Sequence, residues 1–312
     1  MRCYGFPYKG SKNKIAEKIC SLFPVKENFY DLFCGGGAIS HCLAMQHKFQ
    51  KIYMNDIDKS CITLFKQAVN GEFRNEKRWI SREDFFKFKD IEPYIAFCWS
   101  FGNDKNKGYM YSRVIEFWKK ALHYARVYKD FTLLKEFGID SDGSRTDIKA
   151  HEKEYTCRYT KWYLSNVLHS DYCSSELMRK IQKDKTLLEG LKRLERLKRL
   201  EGLKRLVFEN KDYRDIKIKE NSVIYCDIPY KRTSGYTINF DYNSFYEWCK
   251  KQTQLTFISS YEMPNDFIPI AEFKHQCRLC STFNNCILEK VFIPKHQLKL
   301  FKDIKKNSLP EK

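Results

Sequence analysis

The chain has 312 residues, 43% of them hydrophobic and 31% charged, and carries 57 Lys and Arg against 39 Asp and Glu, a net charge of +18. That much apolar material supports a real core in one large domain or two modest ones, and no run approaches the roughly 20 apolar residues of a membrane span. The positive excess points to a polyanionic partner, nucleic acid first, with a lysine-rich coding bias as the alternative that needs no partner. Residues 1–7 contain no apolar core of signal-peptide length. The 13 cysteines are scattered, mostly in apolar or strand-like runs such as those around Cys34, Cys98 and Cys226, where a thiol acts as a small core residue. Cys277-x-x-Cys280, with Cys286 nearby, lacks the second pair that a zinc site wants, so no metal is expected. These features fit a reducing, cytoplasmic compartment and no membrane.

Residues 4–20 run from a turn into a helix. Gly10 and Ser11 make the turn, Ser11 or Asn13 the N-cap, and Ile15 and Ile19 the apolar face. A Gly-Ser-Lys loop at a helix start can hold an anionic group; a capped helix with solvated lysines is the plainer reading. Residues 29–40 follow as a short apolar strand, three glycines (Gly35, Gly36, Gly37) and a helical stretch. Glycine permits positive φ and close approach of backbone to a ligand, as in the first strand-turn-helix of a nucleotide-binding α/β unit. The full dinucleotide fingerprint is absent, so a dinucleotide is not the preferred ligand, and a glycine turn without any ligand is the alternative. Residues 51–58 form a second strand that ends in acids. Asp56 lies at about the spacing from Gly37 that a ribose-binding carboxylate needs, and Asp58 fits the N-cap of a helix through Leu64 and Phe65.

Residues 90–180 are rich in Tyr, Phe, Trp, Lys and Arg. Residues 99–111 read as an irregular polar loop flanked by aromatics, a helix follows through Phe117, Ala121, Leu122 and Ala125, and 138–158 read as a long polar loop. Cations interleaved with rings suit a nucleic-acid surface; an ordinary helical subdomain is the alternative. Residues 188–206 repeat the pattern Leu-Glu-Gly/Arg-Leu-Lys-Arg. Leucine every third residue lags by about 60° per step on an α-helix, so the stripe winds round and excludes a long coiled coil. The stretch reads as a low-complexity helical insertion, with a basic helix touching phosphates as the functional alternative.

Residues 207–215 form another short strand, ending near Asp212 and Tyr213. Residues 222–230 are a buried strand that must stop at Pro229, which has no backbone donor. Asp227, a fixed corner and the Tyr230 ring are left at the carboxyl end of a strand, the edge at which open α/β sheets bind ligands. A polar and aromatic loop follows to Tyr242, then a helix from Asn243 or Ser244 through Trp248 and a strand from Leu255 to Tyr261. A hairpin over 267–293 and a loosely held lysine-rich end at 295–312 complete the chain.

In order and content these motifs resemble the Dam-like, alpha-group DNA adenine-N6 methyltransferases. Tyr8-Lys9-Gly10-Ser11-Lys12 resembles that family's N-terminal cofactor motif, Asp31-Leu-Phe-Cys-Gly-Gly-Gly-Ala its glycine-rich loop, and Asn55-Asp56-Ile57-Asp58 its ribose-binding motif. Asp212-Tyr213 sits where the family has an adenine-pocket pair, and Asp227-Ile228-Pro229-Tyr230 resembles its catalytic Asp-Pro-Pro-Tyr. The likeness covers about residues 4–70 and 207–293.

The resemblance implies an α/β fold: a Rossmann-like S-adenosylmethionine-dependent methyltransferase sheet from residues 1–90 and 207–312. A mainly helical target-recognition domain at 91–206 would interrupt it and include the 188–206 repeat. The implied reaction moves a methyl group from S-adenosylmethionine to N6 of an adenine flipped out of double-stranded DNA. Tyr8, Lys12, Phe33, Gly35, Gly37, Asp56, Asp212, Tyr213 and Asp227 would hold the cofactor, with Lys12 near its carboxylate. In the catalytic set Asp227, Ile228, Pro229 and Tyr230, Asp227 and the Ile228 carbonyl would accept the hydrogens of the amine, and Tyr230 would stack on the base. Ile228 departs from the family's first proline, but the needed group is a main-chain carbonyl, and Pro229 still biases that residue to extended geometry. A monomer is expected, with a cognate restriction endonuclease as an open further partner. The alternatives are an amino methyltransferase for RNA or protein glutamine, which usually carries Asn at the place of Asp227, and a catalytically silent DNA-binding relative.

Overall fold

The computed structural model describes residues 3–170, 188–230, 240–276 and 286–307. Most of the expected loop after Tyr230 (231–239) and the Cys277-x-x-Cys280 pair lie outside them. The chain forms two compact units, one of residues 1–74 and 196–312, the other of residues 75–195.

In the first unit β1 (Asn28–Asp31), β2 (Lys51–Asn55), β3 (Leu206–Glu209), β4 (Ser222–Asp227), β5 (Leu255–Ser260), β6 (Phe267–Gln276) and β7 (Cys286–Pro294) make one sheet. Its order is β3-β2-β1-β4-β5-β7-β6. β1 to β5 are parallel, and β7 runs antiparallel to β5 and β6. This is the expected Rossmann-like, mostly parallel α/β sheet with a final hairpin. β1 is buried throughout and β4 is buried up to Asp227, which is why both read as unbroken apolar runs. The chain steps outward from β1 to β2 and β3, then returns to β4 on the other side of β1. The strand order therefore reverses between β1 and β4, and a crevice at their carboxyl ends is where such sheets take ligands.

Connecting helices include Ala38–Gln46 after β1 and Lys59–Val69 after β2. Asp58 caps the latter as expected, accepting the Ser60 N–H at 3.0 Å. The lysine-rich end departs from expectation. Leu298–Asn307 is a helix whose Phe301 is buried against Phe257, ring centroids 5.9 Å apart. Gln297 ahead of it is buried, accepts the Thr256 N–H and donates to the carbonyls of Gln252 and Gln254. An apolar stripe, not the lysine count, decides that segment.

The second unit is helical, with Arg82–Phe88, Pro93–Cys98, Arg113–Val127, Thr132–Glu136, Arg145–Ala150 and Glu152–Tyr163 among its elements. Arg113–Val127 is the helix expected through Ala125. Two other readings are corrected. Residues 138–158 are largely helix: Ser144 caps Arg145–Ala150 by accepting the Asp147 N–H, and Ile148, Tyr155 and Tyr159 bury one face. Three rings in the 99–111 stretch, at 99, 109 and 111, are turned inward instead of being available to bases. Trp99, Tyr109 and Tyr111 are buried, and Trp79 stacks on Tyr111 at 5.6 Å and meets Trp99 edge-on at 5.3 Å. Those rings are this unit's own core, while Phe101, Phe117 and Tyr128 are among its exposed ones.

The units divide after Arg74 and within the helix Glu189–Lys198, rather than at 90/91 and 206/207. Arg82–Phe88 belongs with the insertion because Phe85 packs on Tyr109, centroids 5.6 Å apart, and Arg82 pairs with Glu116 at 3.0 Å. The leucine repeat is correspondingly split, and Leu206 already begins β3. Leu194, Leu197 and Leu200 are buried. Its arginines hold main-chain carbonyls: Arg193 those of Cys98 and Ser100, Arg196 those of Tyr4, Gly5 and Phe6, and Arg205 those of His47 and Phe49. No helix among the described residues is long and apolar enough to cross a membrane.

Candidate active site

β1 delivers Asp31 to the crevice. Its carboxylate is 1% exposed; Oδ2 accepts the Ser40 hydroxyl at 2.6 Å, and Oδ1 has no hydrogen-bond partner. Burial raises it to about 7, against the Ser40 bond and with the help of Asp227 and Asp56. The glycine loop follows, with φ of +48° at Gly35 and +66° at Gly37. A Cβ on Gly35 would stand 2.7 Å from the Tyr8 ring, and one on Gly37 2.3 Å from the Phe65 ring. The glycines thus make room for the protein's own rings as well as for backbone approach, and Tyr8 lies over the loop. Phe6 ties the N-terminal motif to it by donating its N–H to the Gly36 carbonyl at 2.9 Å.

β2 brings Asp56, whose two oxygens accept the N–H groups of Gly35 and Asp58, both at 2.8 Å. Asn55, which carried no expected role, is the brace behind it. Its Nδ2 donates to the carbonyls of Leu32 and Lys211 at 3.1 and 3.0 Å, and its Oδ1 accepts the Lys211 N–H at 2.9 Å. Asn210 donates to the carbonyls of Asp56 and Ile57. The ends of β1, β2 and β3 are joined in this way, and Asp212 is placed beside them. Both Asp212 oxygens receive the Arg214 guanidinium at 2.8 Å, which lowers the pKa of this carboxyl. Tyr213 is buried among Phe33, Phe245 and Trp248. The structure therefore brings Phe33, Asp212 and Tyr213 together, with Asp212 engaged by Arg214 and Tyr213 packed as core.

β4 ends in Asp227. Lys12 Nζ stands 2.7 Å from Asp227 Oδ1 and 4.8 Å from the centre of the Tyr230 ring. Lys12, expected near a cofactor carboxylate, is in this structure the buried partner of Asp227. Burial would lower its pKa, but Asp227 and Glu289 outweigh that and raise it. The Tyr230 hydroxyl donates to Glu289 Oε1 at 2.5 Å and lies 3.2 Å from Asp227 Oδ1. Glu289 is 1% exposed, and its Oε2 is 4.0 Å from Lys12. Burial pushes Asp227 up to about 6, with Lys12 opposing and Glu289 adding to the shift. Ile228 is buried in the aromatic core, and the Pro229 carbonyl accepts the Tyr242 hydroxyl at 2.9 Å. The corner is thus held by packing and by a neighbouring helix.

Glu289 is the residue that motif reading missed. One signal for it was present: strand alternation puts 289 on the same face as Val291 and Ile293, both of which are buried. A charge on that face needs a partner. Chemically, the crevice sets Asp31, Asp56 and Asp227 around one glycine loop and leaves a buried acceptor open on Asp31. That arrangement fits a ligand carrying positive charge and hydrogen-bond donors. Among the described residues no three of His, Cys, Asp and Glu stand together as a metal site. A family model described as D12 class N6 adenine-specific DNA methyltransferase matches residues 8–270. That span takes in the whole crevice apart from Glu289. A comparison with curated proteins finds no match.

Proposed function

We propose that this chain, which belongs to the family of D12 class N6 adenine-specific DNA methyltransferases, takes its methyl group from S-adenosylmethionine and acts on an adenine turned out of the duplex. The observation that carries this reading is Asp227 at the switch between β1 and β4, half-buried and held between Lys12 and Tyr230. The donor supplies an electrophilic methyl beside a positively charged sulfur. The open acceptor on Asp31 suits its ammonium, and the Asp56 carboxylate at the end of β2 suits its ribose hydroxyls. Phe33, Tyr213 and Asp212 suit its adenine, and Tyr8, Gly35 and Gly37 line the approach.

An exocyclic adenine amine is a poor nucleophile because its lone pair is delocalised into the ring. Asp227 accepts one of its hydrogens and the Ile228 carbonyl the other, which favours the tetrahedral nitrogen that forms as the methyl arrives. One N6 proton must then leave. Asp227, raised to about 6, is matched in basicity to receive it near neutral pH. Tyr230 stacks on the base. The base must leave the stack because its amino group cannot otherwise reach the donor. The inserted unit 75–195 serves target recognition, the net charge of +18 supports a DNA partner, and the enzyme acts as a monomer.

Labelled S-adenosylmethionine with unmodified DNA tests the donor, and 2-aminopurine fluorescence at the target tests extrusion. Transfer by the wild type and none by Asp227→Ala is expected. A wild type that labels RNA instead of DNA, or equal labelling by Asp227→Ala, overturns the reading.

A further inference from the structure

We propose that a cavity in the helical unit, lined by Arg126, Lys129 and Arg145, holds one backbone phosphate of the DNA duplex. The inference rests on the DNA reading above and adds to it a binding site within residues 75–195. The cavity measures about 500 Å³, and Phe131, Asp142, Gly143 and Ser144 complete its lining. Three cations thus stand with one acid, an excess of two positive charges.

Arg126 lies in the last turn of the helix Arg113–Val127, and the chain leaves that helix through Lys129, whose φ is +58°. Gly143 comes up against the same helix with a φ of +69°, and a Cβ there would stand 2.8 Å from the Ala125 Cβ. Only glycine allows that approach. It brings the Gly143 carbonyl to Arg126, whose Nε donates to it at 2.6 Å. The guanidinium is therefore fixed at one nitrogen, while its Nη2 is shut off from water and has no hydrogen-bond partner among the described residues. A buried donor without an acceptor costs its full desolvation, and an oxygen brought by a ligand would offset that. Asp142 does not fill this need. It is exposed, its Oδ1 accepts the Ser144 N–H at 2.7 Å, and Nη2 stays unmet beside it. What fits is an anion with several acceptor oxygens: a planar guanidinium matches phosphate oxygens, and the exposed Lys129 and Arg145 add charge beside it. Phe131 gives an apolar wall for the adjoining sugar. A contact of this kind anchors the duplex and carries no sequence information itself.

Fluorescence anisotropy of the intact chain with a labelled duplex, over a range of salt concentrations, decides the matter. Lys129→Ala combined with Arg145→Ala should weaken binding about tenfold at ~0.1 M salt and lower the slope of log affinity against log salt by about one. Unrelated duplex sequences should be affected alike. Arg126→Gln should act in the same direction. The same loss of charge at Lys149 and Lys153, exposed in this unit but outside the cavity, should cost much less. An unchanged slope in the double variant, or an equal change from the Lys149 and Lys153 pair, overturns the proposal. So does an Arg126→Gln chain whose urea midpoint falls while its DNA affinity stays, since the arginine is then only a brace for the loop. Binding of inorganic phosphate that the double variant loses while keeping its duplex affinity would assign the cavity to a free anion and overturn the backbone phosphate. A wild type that binds no duplex overturns the DNA reading, and this ligand with it.

Discussion

The carboxylates at the two ends of the crevice are built in opposite ways. At the outer end Asp56 accepts two main-chain N–H groups, Asp58 caps a helix and Asp212 receives an arginine. These charges are met by donors and partly exposed. At the inner end Asp31 and Asp227 are raised to about 7 and about 6 by burial, and the Lys12 ammonium stands 2.7 Å from Asp227 and 4.0 Å from Glu289. The outer acids are held ionised by fixed main-chain and arginine donors. The inner ones are costly to keep ionised, and a nearby cation or the uptake of a proton relieves that cost. One residue type thus meets two different surroundings, and under the proposed reading these fit it for recognition at one end and chemistry at the other.

The largest break in this contrast is expected from Asp227→Asn. It keeps the shape and one acceptor but removes the charge, and should lower single-turnover methyl transfer by about 10²–10⁴-fold with DNA affinity retained. Asp56→Asn should act mainly on cofactor affinity. Equal losses of turnover from the two variants would erase the distinction between the ends.

Asp31→Asn comes next and is read in stability. The Asp31 carboxyl has a folded value of about 7, above its unfolded value of about 3.9. Its contribution is therefore intact below the unfolded value and is lost as pH rises through 7. That loss reaches roughly 4 kcal/mol at most, and asparagine does not incur it. The urea midpoint of Asp31→Asn should exceed the wild type by more at pH 8 than at pH 5, while cofactor affinity falls. A gap that does not widen with pH would mean that Asp31 is not strained.

A smaller effect is expected on the pH profile of transfer. Wild-type activity should fall as pH drops through about 6, where Asp227 takes up a proton and loses its capacity as acceptor. Burial is the larger cause of that position and Glu289 a lesser one, so Glu289→Gln should move the acidic limb to lower pH. An unmoved limb would show that the two carboxylates do not sense each other.

The same contrast explains what the chain discloses from its residues alone. β1, β2 and β4 are legible because central strands buried on both faces are runs of apolar residues, and the glycine turn and the Asp227 corner interrupt them sharply. Asp58 is legible because its role is local, capping the residues that follow; the hold of Asp56 on Gly35, 21 residues away, is not. Glu289 is not legible as a motif, since its partners Tyr230 and Lys12 come from other parts of the fold and only the pairing of β7 beside β5 brings them together. The inserted unit misleads in another way. Trp99, Tyr109 and Tyr111 have the composition of a base-stacking surface, but composition does not tell the inside of a small helical core from its outside. Ile228 is the opposite case: a residue that breaks the family's proline pattern holds its corner by packing its side chain into the core.

The smallest expected effect lies at the outer end, at Arg214. Its pair with Asp212 is largely exposed, with 59% of the arginine side chain accessible, so it should add little to stability. The pair does, however, occupy both oxygens of an acid placed beside Phe33 and Tyr213. Arg214→Gln should leave the denaturation midpoint where it is and strengthen cofactor binding by at most a few-fold, because a neutral amine would no longer compete with a guanidinium for Asp212. An arginine that instead braces the Tyr213–Asp215 turn for the ligand would give the opposite sign, weaker binding in Arg214→Gln. Asp212 would then belong to the turn, and the outer end would recognise its ligand through Asp56 and the rings alone.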